Sequence, residues 1–204
     1  MKVFFRFLCA VVVAAVAFSS CSSGNDYDFE RALEEQRIKD SLNNVRIRGI
    51  IAEQAGAVKT FADQNLTNAK LDTASGIWYQ VVQAGDENSY TYEVTPGGIS
   101  APTVEVKYKG TLLNGTVFDE TAVGKTAQLP LAQLVQAWRY AFWPKTLRFN
   151  GVTYQLGGLT PTGLKKGSII KFVTPSPWAY DTRSSEKIPA NSPLYFEIEV
   201  VNLR

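Results

Sequence analysis

The feature that most constrains the fold is Asn114-Gly115, set between the apolar pairs Leu112-Leu113 and Val117-Phe118. Asn-Gly tolerates the positive φ that a tight hairpin turn imposes on both central residues, so the flanking segments are expected to pair antiparallel. The segment entering the turn, Val104-Glu105-Val106-Lys107-Tyr108-Lys109-Gly110, alternates apolar and charged positions, as a strand with one face on a core does. Two later strands are expected at Ser168–Thr174 and at Leu194–Leu203, where Leu194, Phe196, Ile198 and Val200 share a face. After Pro130, a residue suited to a helix's first turn, Leu131, Leu134, Val135, Trp138 and Phe142 recur at helical spacing and predict one short helix. Ile77, Tyr79 and Val81 alternate with Trp78, Gln80 and Val82, which predicts a further strand, while Tyr90–Thr103, with two prolines and two glycines, reads as a loop or irregular edge. The inventory is an antiparallel sheet with one helix laid across it, an α+β domain.

Upstream the chain changes character. Lys2 and Arg6 precede an apolar run, Phe7–Phe18, that falls short of the roughly 20 residues a spanning helix needs. Ser19 and Ser20 then lead into Cys21, so residues 1–20 are expected to be a signal peptide. Small residues directly before a cysteine resemble a bacterial lipobox, which makes Cys21 the expected lipidation site. An ordinary cleaved signal with a chance cysteine, or an uncleaved anchor, are the alternatives. Residues 21–28 read as a tether and 29–70 as a helical arm, in one or two helices with a break near Ser41–Asn44. Ile47, Ile50, Ile51, Ala55, Val58 and Phe61 form its stronger apolar stripe. Such an arm either dimerises through residues 29–66 or packs its apolar face on its own domain. The expected location is the bacterial cell envelope, lipid-anchored at the periplasmic face or on the outer-membrane surface.

Two absences exclude much chemistry. The chain has no histidine, which removes Ser–His and Cys–His catalysis and imidazole ligation. Its two cysteines, Cys9 and Cys21, both lie near the N-terminus, so neither staples the folded part and no cysteine metal cluster exists. Without Lys2 and Arg6 the 21 basic and 19 acidic residues become 19 against 19, and no footprint for nucleic acid remains. Gly124-Lys125-Thr126 lacks the upstream glycine and the strand–loop–helix setting of a phosphate-binding loop. No cofactor or metal is expected.

Four motifs in order over about a hundred residues then make a specific match. VEVKYKGTLLNGTVFDET is similar to the signature of the FK506-binding (FKBP) type of prolyl isomerase, a strand with Tyr-x-Gly, a hairpin, then Phe-Asp. Leu134-Val135 and Trp138 resemble its two aliphatics and pocket-floor tryptophan, and Pro175–Tyr180 its Pro-x-x-Ala-Tyr stretch. Ile188–Val200 resembles its closing Ile-Pro…Leu-x-Phe strand. The lead-in Thr73–Tyr79 is similar to bacterial FKBP lipoproteins with helical N-terminal arms. The resemblance implies a curved half-barrel sheet wrapped on one short helix, as residues 71–204, with a core at 100–204 and an insertion at about 143–162.

It also implies a site. Trp138 would be the floor for a proline ring, with Tyr108, Phe118, Val135 and Phe196 as walls and Leu134 and Ile188 at the rim. The Leu134 amide and the Tyr180 hydroxyl would bind peptide carbonyls, and Asp119 would polarise the pocket and tie down Tyr108. Taken singly, Phe196 and Val135 also suit a plain core, and Asp119 a turn cap. The implied activity is peptidyl-prolyl cis-trans isomerisation of proline-containing polypeptides, assisting the folding of exported envelope proteins. The alternatives are a catalytically degenerate FKBP-like lipoprotein that binds peptides or proteins, and a structural lipoprotein using the fold as a packing unit. Three departures bear on activity: Asp181 where the family usually has glycine, Ala127 or Leu129 where it often has an aromatic, and the insertion, expected as a hairpin flap.

Overall fold

The computed structural model describes residues 23–95 and 98–204. The expected signal peptide, Cys21 and the first residues of the tether lie outside the described residues. The chain divides into a unit of residues 1–43 and a unit of residues 44–204.

Helix α1 runs Ser23–Asn65 without interruption. Two expectations are corrected by it: residues 23–28 are helical rather than a tether, and Ser41–Asn44 does not break the arm. Serine and asparagine each cost less than about 0.7 kcal/mol in a helix interior, too little to stop a run that contains no proline. Within the first unit, Phe29, Leu33, Ile38 and Leu42 are exposed.

Among the described residues of the second unit eleven strands and one further α-helix follow: β1 Lys70–Asp72, β2 Ile77–Gln83, β3 Val94–Thr95, β4 Gly98–Ile99, β5 Thr103–Leu112, β6 Val117–Glu120, β7 Ala127–Pro130, α2 Gln136–Phe142, β8 Thr146–Phe149, β9 Val152–Gln155, β10 Ile169–Thr174 and β11 Leu194–Leu203. The main sheet is antiparallel in the order β1-β2-β10-β11-β5-β6, and β7 also pairs with β5. Strand β5 therefore changes partner along its length: Thr103–Val106 meet β7 and Lys109–Thr111 meet β6, with an irregularity between Gly110 and Thr111. The expected strands are present, and the alternating apolar residues Val104 and Val106 of β5 and Phe196, Ile198 and Val200 of β11 are buried, while Val81 near the end of β2 is exposed.

The sheet is covered on both faces. Helix α2 supplies Ala137, Trp138, Ala141 and Phe142 to a core shared with Ile170, Phe172, Phe196 and Ile198. On the opposite face, Val58 and Ala62 of α1, with Leu66 just beyond it, pack on Val173 and Tyr195, and Phe61 meets Tyr195 with ring centroids 5.1 Å apart. The arm's later half thus rests on its own domain.

Three local expectations are corrected. The helix after Pro130 starts late: Leu131–Gln133 form a 3₁₀ turn, Leu134 and Val135 are extended, and α2 begins at Gln136. The cause is tertiary, since the Leu131 N–H donates to the Pro102 carbonyl (3.0 Å) and pins the segment to the chain beside β5. At Asn114-Gly115 only Gly115 takes positive φ (88°). The loop there is longer than two residues, closed by the Leu112 N–H on the Thr116 carbonyl (2.9 Å), while the Asn114 carboxamide accepts from the Thr116 N–H (3.0 Å). The segment Tyr90–Thr103 is not wholly irregular: β3 and β4 pair, and buried Tyr92 donates its hydroxyl to the Leu164 carbonyl (2.9 Å).

The insertion folds as a hairpin of β8 on β9. Its turn is Asn150-Gly151, with φ of 48° and 78°, so the two-residue geometry belongs to the second Asn-Gly of the chain.

Candidate active site

Strands β5, β6 and β11 and helix α2 bring four rings together. Tyr108 meets Trp138 edge-to-face at 5.3 Å between centroids, Trp138 meets Phe196 at 5.9 Å, and Phe118 meets Phe196 at 5.7 Å. Trp138 also stacks on Phe142 (6.1 Å) and Phe196 on Phe172 (5.3 Å), so each is held by a further ring. Edge-to-face contact is the preferred geometry of aromatic quadrupoles, so the cluster is stiff. Gly110 explains how Phe118 reaches it. A Cβ on Gly110 would collide with the Phe118 ring, 2.7 Å from Cε2, so only glycine lets that ring lie across β5.

Asp119, next to Phe118 on β6, is exposed and accepts a hydrogen bond from the Tyr108 hydroxyl (2.6 Å). Burial raises the Tyr108 phenol above the usual tyrosine range and the bond to Asp119 raises it further, so at neutral pH it is a donor. The Tyr108 backbone is fixed by its N–H on the Thr121 hydroxyl (3.1 Å).

The start of α2 provides the polar edge. The Leu134 N–H already donates to the Leu131 carbonyl (3.2 Å), which corrects its expected role as the donor to a peptide carbonyl. The following amide, Val135, has no backbone acceptor among the described residues, and its side chain is half-buried. Ile188, expected at the rim, is buried (3% exposed) in the same cluster as Trp138 and Phe196. Leu134 is half-buried and packs against the same cluster.

Tyr180 follows the 3₁₀ turn Ser176–Trp178, packs half-buried against the same core, and its hydroxyl has no hydrogen-bond partner among the described residues. Trp178 holds this loop by donating from Nε1 to the Ser75 carbonyl (2.7 Å) and by meeting Tyr140 edge-to-face (5.5 Å). The structure therefore gathers Tyr108, Phe118, Asp119, Leu134, Val135, Trp138, Tyr180, Ile188 and Phe196 around one core. Among the departures, Ala127 pairs with Val106 and Leu129 packs against the core. Asp181 takes φ of 53°, a left-handed position where glycine is strain-free and Asp is among the better tolerated alternatives.

Sequence reasoning missed two residues. Arg46 of α1 makes a two-pronged contact with the Asp181 carboxylate (2.9 and 2.7 Å), and Gln54 bonds to Ser176. The signal was present, as one polar residue just before the apolar stripe Ile47–Val58 and one within it, but nothing local says what they reach.

No group of three His, Cys, Asp or Glu side chains suited to a metal occurs among the described residues. What the arrangement can do is grip a flat apolar ring and bind an adjacent carbonyl. It presents stiff aromatic walls, one phenol held by a carboxylate, a second phenol and one backbone amide.

Residues 100–201 match the family of FKBP-type peptidyl-prolyl cis-trans isomerases. The FKBP-type isomerase FkpA of Buchnera aphidicola is 32% identical over 64% of this chain and 44% of its own length. FkpA of Escherichia coli is 27% identical over 92% of this chain and 61% of its own length. The chain thus spans about half the length of the curated relatives it matches. The crystal structure of the Escherichia coli FkpA superposes with a TM-score of 0.52 at 25% identity, covering 89% of this chain and 73% of that one.

Proposed function

The chain belongs to the FKBP-type peptidyl-prolyl cis-trans isomerase family, and we propose that it accelerates rotation about X-Pro bonds in exported polypeptides, with residues 71–204 as the catalytic domain. The observation that carries the reading is the box of Tyr108, Trp138, Phe196 and Phe118 with its carboxylate-held phenol.

An X-Pro amide rotates slowly because resonance gives its C–N bond partial double-bond character, with uncatalysed exchange taking tens to hundreds of seconds. At the twisted transition state that resonance is lost and the amide is less dipolar. An apolar aromatic wall then suits the transition state better than the planar ground state, and differential binding of this kind lowers a barrier. Trp138 is the floor for the proline ring and Tyr108, Phe118, Val135 and Phe196 are its walls. The Val135 amide and the Tyr180 hydroxyl serve as donors to the peptide carbonyls. Asp119 holds the Tyr108 hydroxyl and places a negative oxygen beside the rotating carbonyl. Every step is bond rotation, so the residues position and desolvate rather than transfer protons.

Two finer readings go with it. Acylation of Cys21 anchors the protein in the envelope, supported by the small residues before that cysteine. The arm, residues 29–66, makes a homodimer contact through its earlier half, supported by exposed Phe29, Leu33, Ile38 and Leu42, while its later half packs on its own domain. The primary test is a proline-limited refolding assay with residues 22–204, with and without an FK506-class inhibitor. Inhibitable acceleration is expected. Well-folded protein that leaves the slow phase unchanged would show a binding module instead. Light scattering of the same sample checks the dimer, and intact mass of the full chain from membranes checks the acylation.

A further inference from the structure

Resting on that reading, we propose that Arg46 and Asp181 are positioning residues for Tyr180: the second half of α1 is a strut that holds the loop carrying this phenol over the pocket. The argument starts from the loop. Between β10 and β11 the chain has no regular ladder, and Tyr180 sits in the middle of it. Its geometry is improbable for a free loop, since Ala179 is at φ −116°, ψ −111°, and Asp181 is left-handed at φ 53°. A backbone in sparsely populated regions persists only where its surroundings over-determine it.

The surroundings are partly internal. The Asp181 N–H and the Ala179 N–H both donate to the Ser176 carbonyl (2.9 Å each), the Arg183 N–H to the Tyr180 carbonyl (2.9 Å), and the Asn191 N–H to the Asp181 carbonyl (2.7 Å). The remainder comes from α1. Gln54 accepts from the Ser176 N–H (2.8 Å) and donates to the Asn191 carbonyl (2.9 Å), so one side chain ties both ends of the loop. Arg46, on the same side of the helix two turns earlier, donates from both terminal nitrogens to the Asp181 carboxylate (2.9 and 2.7 Å) and ties its centre. A two-pronged guanidinium–carboxylate contact fixes orientation as well as distance. Asp181 is the residue after Tyr180, so this contact fixes the backbone that aims the phenol.

The departure from glycine at position 181 thereby acquires a purpose. A glycine would take the same backbone more easily but would offer the helix nothing to hold. The pair is part-exposed, with the two side chains 38% and 26% accessible, and such pairs add little to global stability. Its effect should accordingly appear in the site rather than in the folding equilibrium.

The test uses the full chain, Arg46→Ala and Arg46→Lys, each with and without Tyr180→Phe. Proline-tetrapeptide turnover and amide exchange at Ala179, Asp181 and Arg183 are followed. Arg46→Ala should lower kcat/KM by about 5- to 10-fold, and Tyr180→Phe should then cost little more, the non-additivity expected of coupled residues. Exchange at the three loop amides should rise about tenfold while β10 and β11 amides stay protected, because the opening is local. Arg46→Lys, which keeps the charge but not the fork, should fall between wild type and alanine. Unchanged loop exchange in a folded Arg46→Ala protein, or full additivity with Tyr180→Phe, overturns the strut. Should the alanine variant not fold, exchange in the lysine variant decides the same point. A wild-type chain without turnover defeats the isomerase reading instead, and the exchange data then still decide whether α1 holds the loop.

Discussion

Gly110→Ala adds one methyl group and sets two known effects against each other. Gly110 lies in β5 with ordinary strand φ, where replacing glycine by alanine normally gains about 0.4–1 kcal/mol through the unfolded chain. The new Cβ, however, would stand 2.7 Å from Cε2 and 3.2 Å from Cε1 of Phe118. That ring cannot simply swing aside, because it meets Phe196, which in turn meets Trp138 and Phe172. Overpacking of this kind costs about 1–3 kcal/mol, so the net expectation is a loss of roughly 0.5–2 kcal/mol. In a unit of this size that lowers Tm by about 2–6 °C. On the proposed reading the displaced ring is a wall of the pocket, so turnover should fall along with Tm. Urea denaturation and the tetrapeptide assay should be run on Gly110→Ala, Phe118→Leu and the double variant. Shortening residue 118 makes room for the methyl, so the double variant should recover about 1 kcal/mol relative to the sum of the singles. An alanine variant as stable and active as wild type, or strict additivity, refutes the account of why glycine stands at 110.

Other predictions follow from the same geometry. Tyr108→Phe removes the 2.6 Å bond to Asp119; the loss of about 1 kcal/mol at the site should lower kcat/KM roughly fivefold while Tm changes little, and equal turnover would remove Asp119 from the mechanism. Burial raises the phenols of Tyr92 and Tyr195 above their unfolded value, so the folded chain holds protons that the unfolded one releases. Their contribution is complete below about pH 10 and declines above it, by up to about 1.4 kcal/mol per pH unit for each; denaturation curves from pH 8 to 11.5 that do not move would contradict this. The hairpin β8–β9 exposes Phe149, Val152 and Tyr154 and is closed at its base by the Leu156 N–H on the Lys145 carbonyl (3.0 Å). Replacing residues 146–155 with a short Gly-Ser link should therefore spare tetrapeptide turnover, lower Tm only by the loss of half-buried Leu147 from the core's edge, and weaken assistance to an unfolded protein. Equal assistance would leave the hairpin without a client role.

The two Asn-Gly pairs show where local reading stops. Asn114-Gly115 closes a longer loop than the two-residue hairpin its dipeptide suggests, whereas Asn150-Gly151, with both residues left-handed, makes that hairpin. The dipeptide alone cannot say which pair has strands whose register leaves two residues between them. The irregularity beside Gly110, which serves Phe118, sets the longer loop at the first.

By itself the sequence determined the antiparallel strands, the aromatic cluster on one short helix and the order of motifs that marks the family. These are legible because alternation and helical spacing record which face of an element must leave water, and that record lies in neighbouring residues. Only the tertiary structure decided the late start of α2, the burial of Ile188, the commitment of the Leu134 amide and the partner of Asp181. The first and the last depend on a group distant in sequence, Pro102 for Leu131 and Arg46, 135 residues away, for Asp181, and the Leu134 bond to the Leu131 carbonyl belongs to the turn that Pro102 pins. A carboxylate reads alike in any loop, and its role is set by the charge that folding brings to it.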